Sequence, residues 1–187
     1  MPHALDLSPA FNDLLHARET DGSSPLFSPG ERIVASARRF GRTPEECARF
    51  ARAPALRSVN SAVDEAPAGQ DKAALFAGDA LYAAGFVAPV EDGRYLSPDR
   101  WVRSPLFQPV TRPWLRPGDL LLAGAHIEVI TEVSPDDRHL RTLGARSLGL
   151  VEDGTFGVRL LRARRRGELF LHAGESLHVL RATVQTP

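Results

Sequence analysis

The stretch Asp71-Lys72-Ala73-Ala74-Leu75-Phe76-Ala77-Gly78-Asp79-Ala80-Leu81-Tyr82-Ala83-Ala84-Gly85-Phe86 decides how the rest of the chain is read. Ala73, Phe76, Ala77, Ala80, Leu81 and Ala84 recur at helical spacing and form one apolar stripe, and Gly85 supplies a C-terminal stop. Nearly every member of the stripe is small, so another element can approach the helix closely. The spacing predicts a central, buried helix over residues 72–84.

Upstream, Ile33, Val34 and Ala37 give Glu31 to Phe40 a helical period, opened by Pro29 and Gly30 and closed before Gly41. Thr43, Pro44 and Glu46 then form a second start signal, with Thr43 as N-cap and Glu46 placed to complete a capping box, for a helix to Arg52. Residues 54–70 have no clear period and read as a long connection, of the kind that is often functional in compact domains. Residues 1–28, rich in Ser, Pro, Asp and Gly, read as an arm with one short helix at Pro9 to Ala17, ahead of a single domain over 29–187.

Downstream the pattern changes. After a turn at Glu91 to Gly93 and a short helix around Trp101, between Ser97 and Arg103, the prolines at 105, 109, 113 and 117 argue against regular structure. Pro117-Gly118-Asp119 is a turn that launches a strand, Leu120 to Leu122. His126 to Val133 follows as a second strand, with a hairpin turn over Ser134 to Asp137 and a return at His139 to Leu143. Further strands are expected at Gly157 to Arg162, Glu168 to His172 and Ser176 to Thr183. Helices first and strands afterwards predict an α+β domain with an antiparallel sheet.

Composition narrows the function classes. Lys plus Arg and Asp plus Glu both number 23, so no net charge steers the chain toward nucleic acid. No run of about 18 apolar residues occurs, and Met1 to Ser8 lacks the basic and apolar regions of a signal peptide, so neither membrane insertion nor ordinary export is expected. A single cysteine, Cys47, excludes an intramolecular disulfide framework and a multi-cysteine zinc site. Four arginines between Arg162 and Arg166 read as a solvated loop.

Three pieces in order carry a resemblance: the 71–86 helix, then Arg116-Pro117-Gly118-Asp119-Leu120-Leu121, then Gly124-Ala125-His126-Ile127-Glu128-Val129-Ile130. Together they resemble the NlpC family of papain-like peptidoglycan peptidases, and within it the compact amidases delivered as antibacterial effectors. In that family the second piece is a Pro-Gly-Asp turn before a strand, the third is a Gly-x-His strand start carrying the base, and the first is the nucleophile helix. The resemblance covers about residues 33 to 146. The chain departs from the family pattern at Ala73, which stands in the cysteine slot.

The resemblance implies an α+β papain-like fold in which cysteine at position 73 would attack an amide of a peptidoglycan stem peptide, with His126 as base. A thiolate in the first turn of a helix is favoured by the dipole and the unpaired amides, and a backbone amide there can face the developing oxyanion. Alanine at 73 reads as an inactivated nucleophile position, by replacement or in a natural pseudoenzyme. The third polar group is open. Glu128 shares the face of His126, a hairpin turning at Pro135 and Asp136 would set Ala145 opposite the histidine, and Thr142, Arg146 and Ser147 are the nearest polar residues on the return strand. Asn60 is a candidate oxyanion donor. Cys47 reads as a small buried hydrophobe rather than a rival nucleophile.

No metal or organic cofactor is implied. The implied partners are a stem peptide and a cognate immunity protein, with delivery to the periplasm or wall by a secretion machine or a phage-type route. The rival reading is a non-enzymatic module that holds a peptide or glycan in the old cleft, or the same fold acting on another amide or ester.

Overall fold

A computed structural model describes residues 27–66, 72–110, 114–133, 140–145, 165–166, 169–172 and 175–186. The expected helix at Pro9–Ala17, the strand at Gly157–Arg162, the turn at Ser134–Asp137 and most of the arginine run lie outside them. Helix α1 spans Pro29–Phe40, α2 Pro44–Arg52, α3 Ala73–Ala83 and α4 Pro98–Trp101. The strands are β1 (Val90–Glu91), β2 (Arg94–Tyr95), β3 (Phe107–Pro109), β4 (Leu120–Ala123), β5 (His126–Val133), β6 (Leu140–Leu143), β7 (Arg165–Arg166), β8 (Leu169–His172) and β9 (Glu175–Ala182). The main sheet runs β6-β5-β4-β9-β8-β7, with β3 also paired to β9, and every pairing is antiparallel. The chain is therefore an α+β domain.

The start signals act as their chemistry dictates, with one exchange of roles. Ser28 and Glu31 close a full capping box on α1, a pair the sequence reading passed over in favour of Pro29 and Gly30. Thr43 caps α2 by accepting from the Glu46 N–H, but the Glu46 carboxylate takes the N–H of Arg42 instead of that of Thr43. The short β1–β2 hairpin turns on Asp92 and Gly93, both at positive φ, which matches the right-handed twist of its strands. Proline did not keep 105–117 free of strand, because β3 places Pro109 at its last position, where a missing N–H costs least.

Helix α3 is buried on nearly every side: Leu75, Gly78 and Asp79 join the apolar stripe inside the protein. Gly78 is required there, since a Cβ would lie 2.5 Å from the Tyr95 ring. One face of the sheet, carrying Leu120, Leu122, Ile127, Val129 and Leu180, shares a core with α1 and α3, while Leu121, Ala123, Ile130 and Val179 form a second cluster with Val110 and Leu115 on the other face. Phe40, Phe50 and Phe76 meet edge to face where α1, α2 and α3 converge. Cys47 is buried in the first core beside Gly41.

The Pro117-Gly118-Asp119 turn is a structural junction. Gly118 sits at φ +91° against Gly30 of α1, where a Cβ would come 2.4 Å from the Gly30 Cα. Asp119, 2% exposed, accepts two bonds from the Arg181 guanidinium at 2.7 and 2.8 Å and a third from the Arg116 N–H at 2.8 Å. One carboxylate thus joins β4 to β9 at the point where α1 begins. Removing one partner strands the other charge, so Arg181→Met should cost about 3 kcal/mol in urea denaturation. Arg100→Met, at the exposed pair with Glu91, should leave the midpoint unchanged.

Candidate functional site

Lys72 is the N-cap of α3 but makes no side-chain cap; its ammonium reaches the carbonyls of Ala51 and Ala53 at the end of α2. Ala73 is the first helical residue and is 1% exposed. Ala74 and Leu75 complete the turn and, with Val63, Glu65, Arg94 and Tyr95, line a cavity of about 40 Å³. That volume holds a few waters or one small side chain, well below the several hundred Å³ of a small-molecule pocket. Its lining mixes apolar side chains with charges of both signs.

His126 closes the two-residue turn of Gly124 and Ala125, with Gly124 at φ +56° and Ala123 as its cross-strand partner. The start of α3 lies toward this end of the sheet. Gly30, at the opposite end of α1, meets the Pro117-Gly118 turn, which bonds to Ile130 far along β5; Arg32 near it approaches Gly85 beyond the end of α3, so α1 and α3 are antiparallel. Strand alternation then separates the two residues. Ile127 and Val129 belong to the core of α3, so His126, Glu128 and Ile130 face the other way, with Ala123 and Leu121. His126 is exposed.

Glu128 does share the histidine's face and is 3% exposed; the Thr142 hydroxyl donates to its Oε2 at 2.5 Å. The register between β5 and β6 differs from the hairpin expected. Val129 pairs with Leu143, and a bulge between Ile130 and Glu132 absorbs one residue, so the ladder carried onward sets Ala145 opposite Ile127, not opposite His126. Arg146 and Ser147 lie outside the described residues.

Asn60 is committed elsewhere. Its Oδ1 accepts from the Ala62 N–H at 3.0 Å and its own N–H donates to Ser58 Oγ at 3.0 Å, inside a buried network centred on Asp79 of α3. The Asp79 carboxylate accepts from the hydroxyls of Ser58 and Tyr95 at 2.5 and 3.1 Å and from the Val59 N–H at 3.3 Å. Burial, stronger than these bonds, raises its pKa to about 6, and burial likewise raises that of Tyr95. Sequence reasoning passed over Lys72 and Asp79. The signal was present for Asp79, a charged residue between Ala73–Gly78 and Ala80–Leu81, but not for Lys72, which follows Gln70 and Asp71.

Among the described residues no group of three His, Cys, Asp or Glu side chains gathers to hold a metal ion. No helix among them is long and apolar enough to cross a membrane. Compared with protein-family models, with curated proteins and with solved structures, the chain matches none.

Asp79 makes stability pH-dependent in an unusual direction. Its folded pKa lies above the ordinary 3.8, so the folded state holds the proton more tightly, and the stabilisation present below pH 4 is lost as pH rises through 6. Urea titrations should show stability falling over this window, by an amount on the order of 3 kcal/mol from this group. Asp79→Asn should flatten that fall, and an equally steep fall in the variant would assign the effect to other groups.

Proposed function

We propose that this chain is a binding module on a papain-like, NlpC-type frame, one that holds a short peptide at the start of α3 without cutting it. The observation that carries this reading is the alternation of β5, which directs His126 away from the face on which Ala73 is packed. With alanine at 73 no thiol stands at the start of the helix, and strand alternation sets His126 on the face opposite that of Ile127 and Val129. The cavity beside Ala74 fits one small apolar side chain, and Asp64, Glu65 and Arg94 in its lining supply charges for the flanking peptide. The family resemblance makes peptidoglycan stem peptides the ligands to test first, and a wall ligand would require delivery to the periplasm or wall.

A specific observation also favours the catalytic reading, in which the active form is a cysteine amidase of stem peptides with His126 as base, Glu128 in support and an immunity protein as partner. The small, buried residue that opens α3 lies toward the same end of the sheet as His126. Ala73→Cys separates the two. On the binding reading the native chain retains stem-peptide fragments in calorimetric titration, Ala74→Leu fills the cavity and weakens binding at least about tenfold, and Ala73→Cys releases no new peptide termini from purified peptidoglycan. Release of termini that stops on thiol alkylation or on His126→Ala would establish the amidase reading instead.

A further inference from the structure

Residues 56–66 form a compact loop ahead of α3, closed at its base where the Leu56 N–H donates to the Ala66 carbonyl at 3.1 Å and the Ala66 N–H to the Leu56 carbonyl at 2.8 Å. Its last residues, Val63 to Ala66, line the cavity beside Ala74 and Leu75, and Tyr95 of β2 lines it as well. The Asp79 carboxyl, 1% exposed, ties both to α3, being bonded to the Ser58 hydroxyl and Val59 N–H of the loop and to the Tyr95 hydroxyl. One side chain thus holds two linings of the cavity against the helix that supplies the third. Protonated, that carboxyl is a neutral partner for two hydroxyls. Ionised, it is a buried charge met by neutral donors, and detaching the loop brings water to it. Around α3, α1 and β5 present apolar side chains such as Ile33, Ala37, Ile127 and Val129. Of the charged residues on the surrounding elements, Lys72 is bonded to the end of α2, Arg32 lies at Gly85 beyond the helix, and Asp64, Glu65 and Arg94 line the cavity. Tyr95 is the titratable group bonded to Asp79, and burial holds its phenol in the protonated form. Detachment withdraws Leu56, Val63 and Ala66 from the core, far less than global unfolding exposes, so it is a local event.

We propose that the 56–66 loop is a proton-controlled latch on the cavity, closed on α3 while Asp79 is protonated and loosened when Asp79 ionises, so that the cavity opens to solvent and to a ligand. The ligand part of this statement rests on the binding reading above; the opening itself does not. A merely structural carboxyl would hold the loop equally well at every pH.

Amide hydrogen exchange, followed by NMR on the full chain and corrected for the intrinsic rate at each pH, reads the opening directly. The N–H groups of Val59, Asn60 and Val63, bonded to Asp79, Ser58 and Asn60, should be less protected at every pH than the Ile130 N–H of the sheet, which follows global unfolding. Their protection should fall roughly thirtyfold between about pH 4.5 and about pH 7.5, since the carboxyl keeps its proton to about 6 when buried and to 3.8 when solvated, and the fall should level off near the upper value. Asp79→Asn, which keeps the shape without the charge, should abolish that fall. Loop protection equal to that of Ile130, or independent of pH, overturns the proposal, as does an undiminished fall in Asp79→Asn. If Asp79→Asn does not fold, the carboxyl-carbon titration of Asp79 in the native chain takes its place. A midpoint where the loop's fall levels off supports the latch, and a midpoint elsewhere overturns it. Because no peptide takes part, failure of stem-peptide binding leaves this result untouched, and a loop that stays closed leaves the binding reading untouched.

Discussion

The burial of α3 on nearly every side is the constraint from which the other features follow. A helix exposed on one face can be amphipathic; one enclosed by α1, by the β1–β2 hairpin and by the sheet must be apolar and thin. Gly78 lets the Tyr95 ring lie against the backbone, and the alanines let α1 and β5 approach. The polar groups that α3 does carry must then be satisfied inside the protein. Asp79 is met by Ser58, Val59 and Tyr95, and Lys72 by the end of α2. The irregular connection 54–66 is held in place by these bonds, which is why it packs closely without a regular period.

The helix, its stop at Gly85, the junction at Pro117-Gly118-Asp119 and the strand at His126 were legible because each rests on local chemistry. The period of 3.6 is written in Ala73, Phe76, Ala77, Ala80 and Leu81, and the strand start follows from a glycine turn. The role of Asp119 was not legible. Arg181, its partner, is 62 positions away, and no local pattern announces that pairing. The motif that suggested a catalytic strand serves, among the described residues, to pin three elements together.

The candidate site was legible in its parts but not in its assembly. Sequence order placed a small residue at the start of a buried helix and a histidine at the start of a strand, and the structure keeps both. Which way the histidine faces depends on parity, and parity is set by where the β4–β5 turn falls. A shift of one residue reverses every side chain of a strand. Here Ala123 and His126 close the turn, so Ile127 and Val129 turn to the core of α3 and Ile130 turns the other way. The bulge at Thr131 changes the facing residues of β6 in the same way, and no feature near Ile130 in the sequence signals it.

The proposed function thus turns on the orientation of one imidazole relative to one methyl group. A nuclear Overhauser experiment on the folded chain, with labelled alanine methyls and histidine rings, measures it directly. The ring protons of His126 should show contacts to the methyl of Ala123, its cross-strand partner, and none to the methyl of Ala73. A contact between the His126 ring and the Ala73 methyl would place both on one face of the sheet and contradict the account.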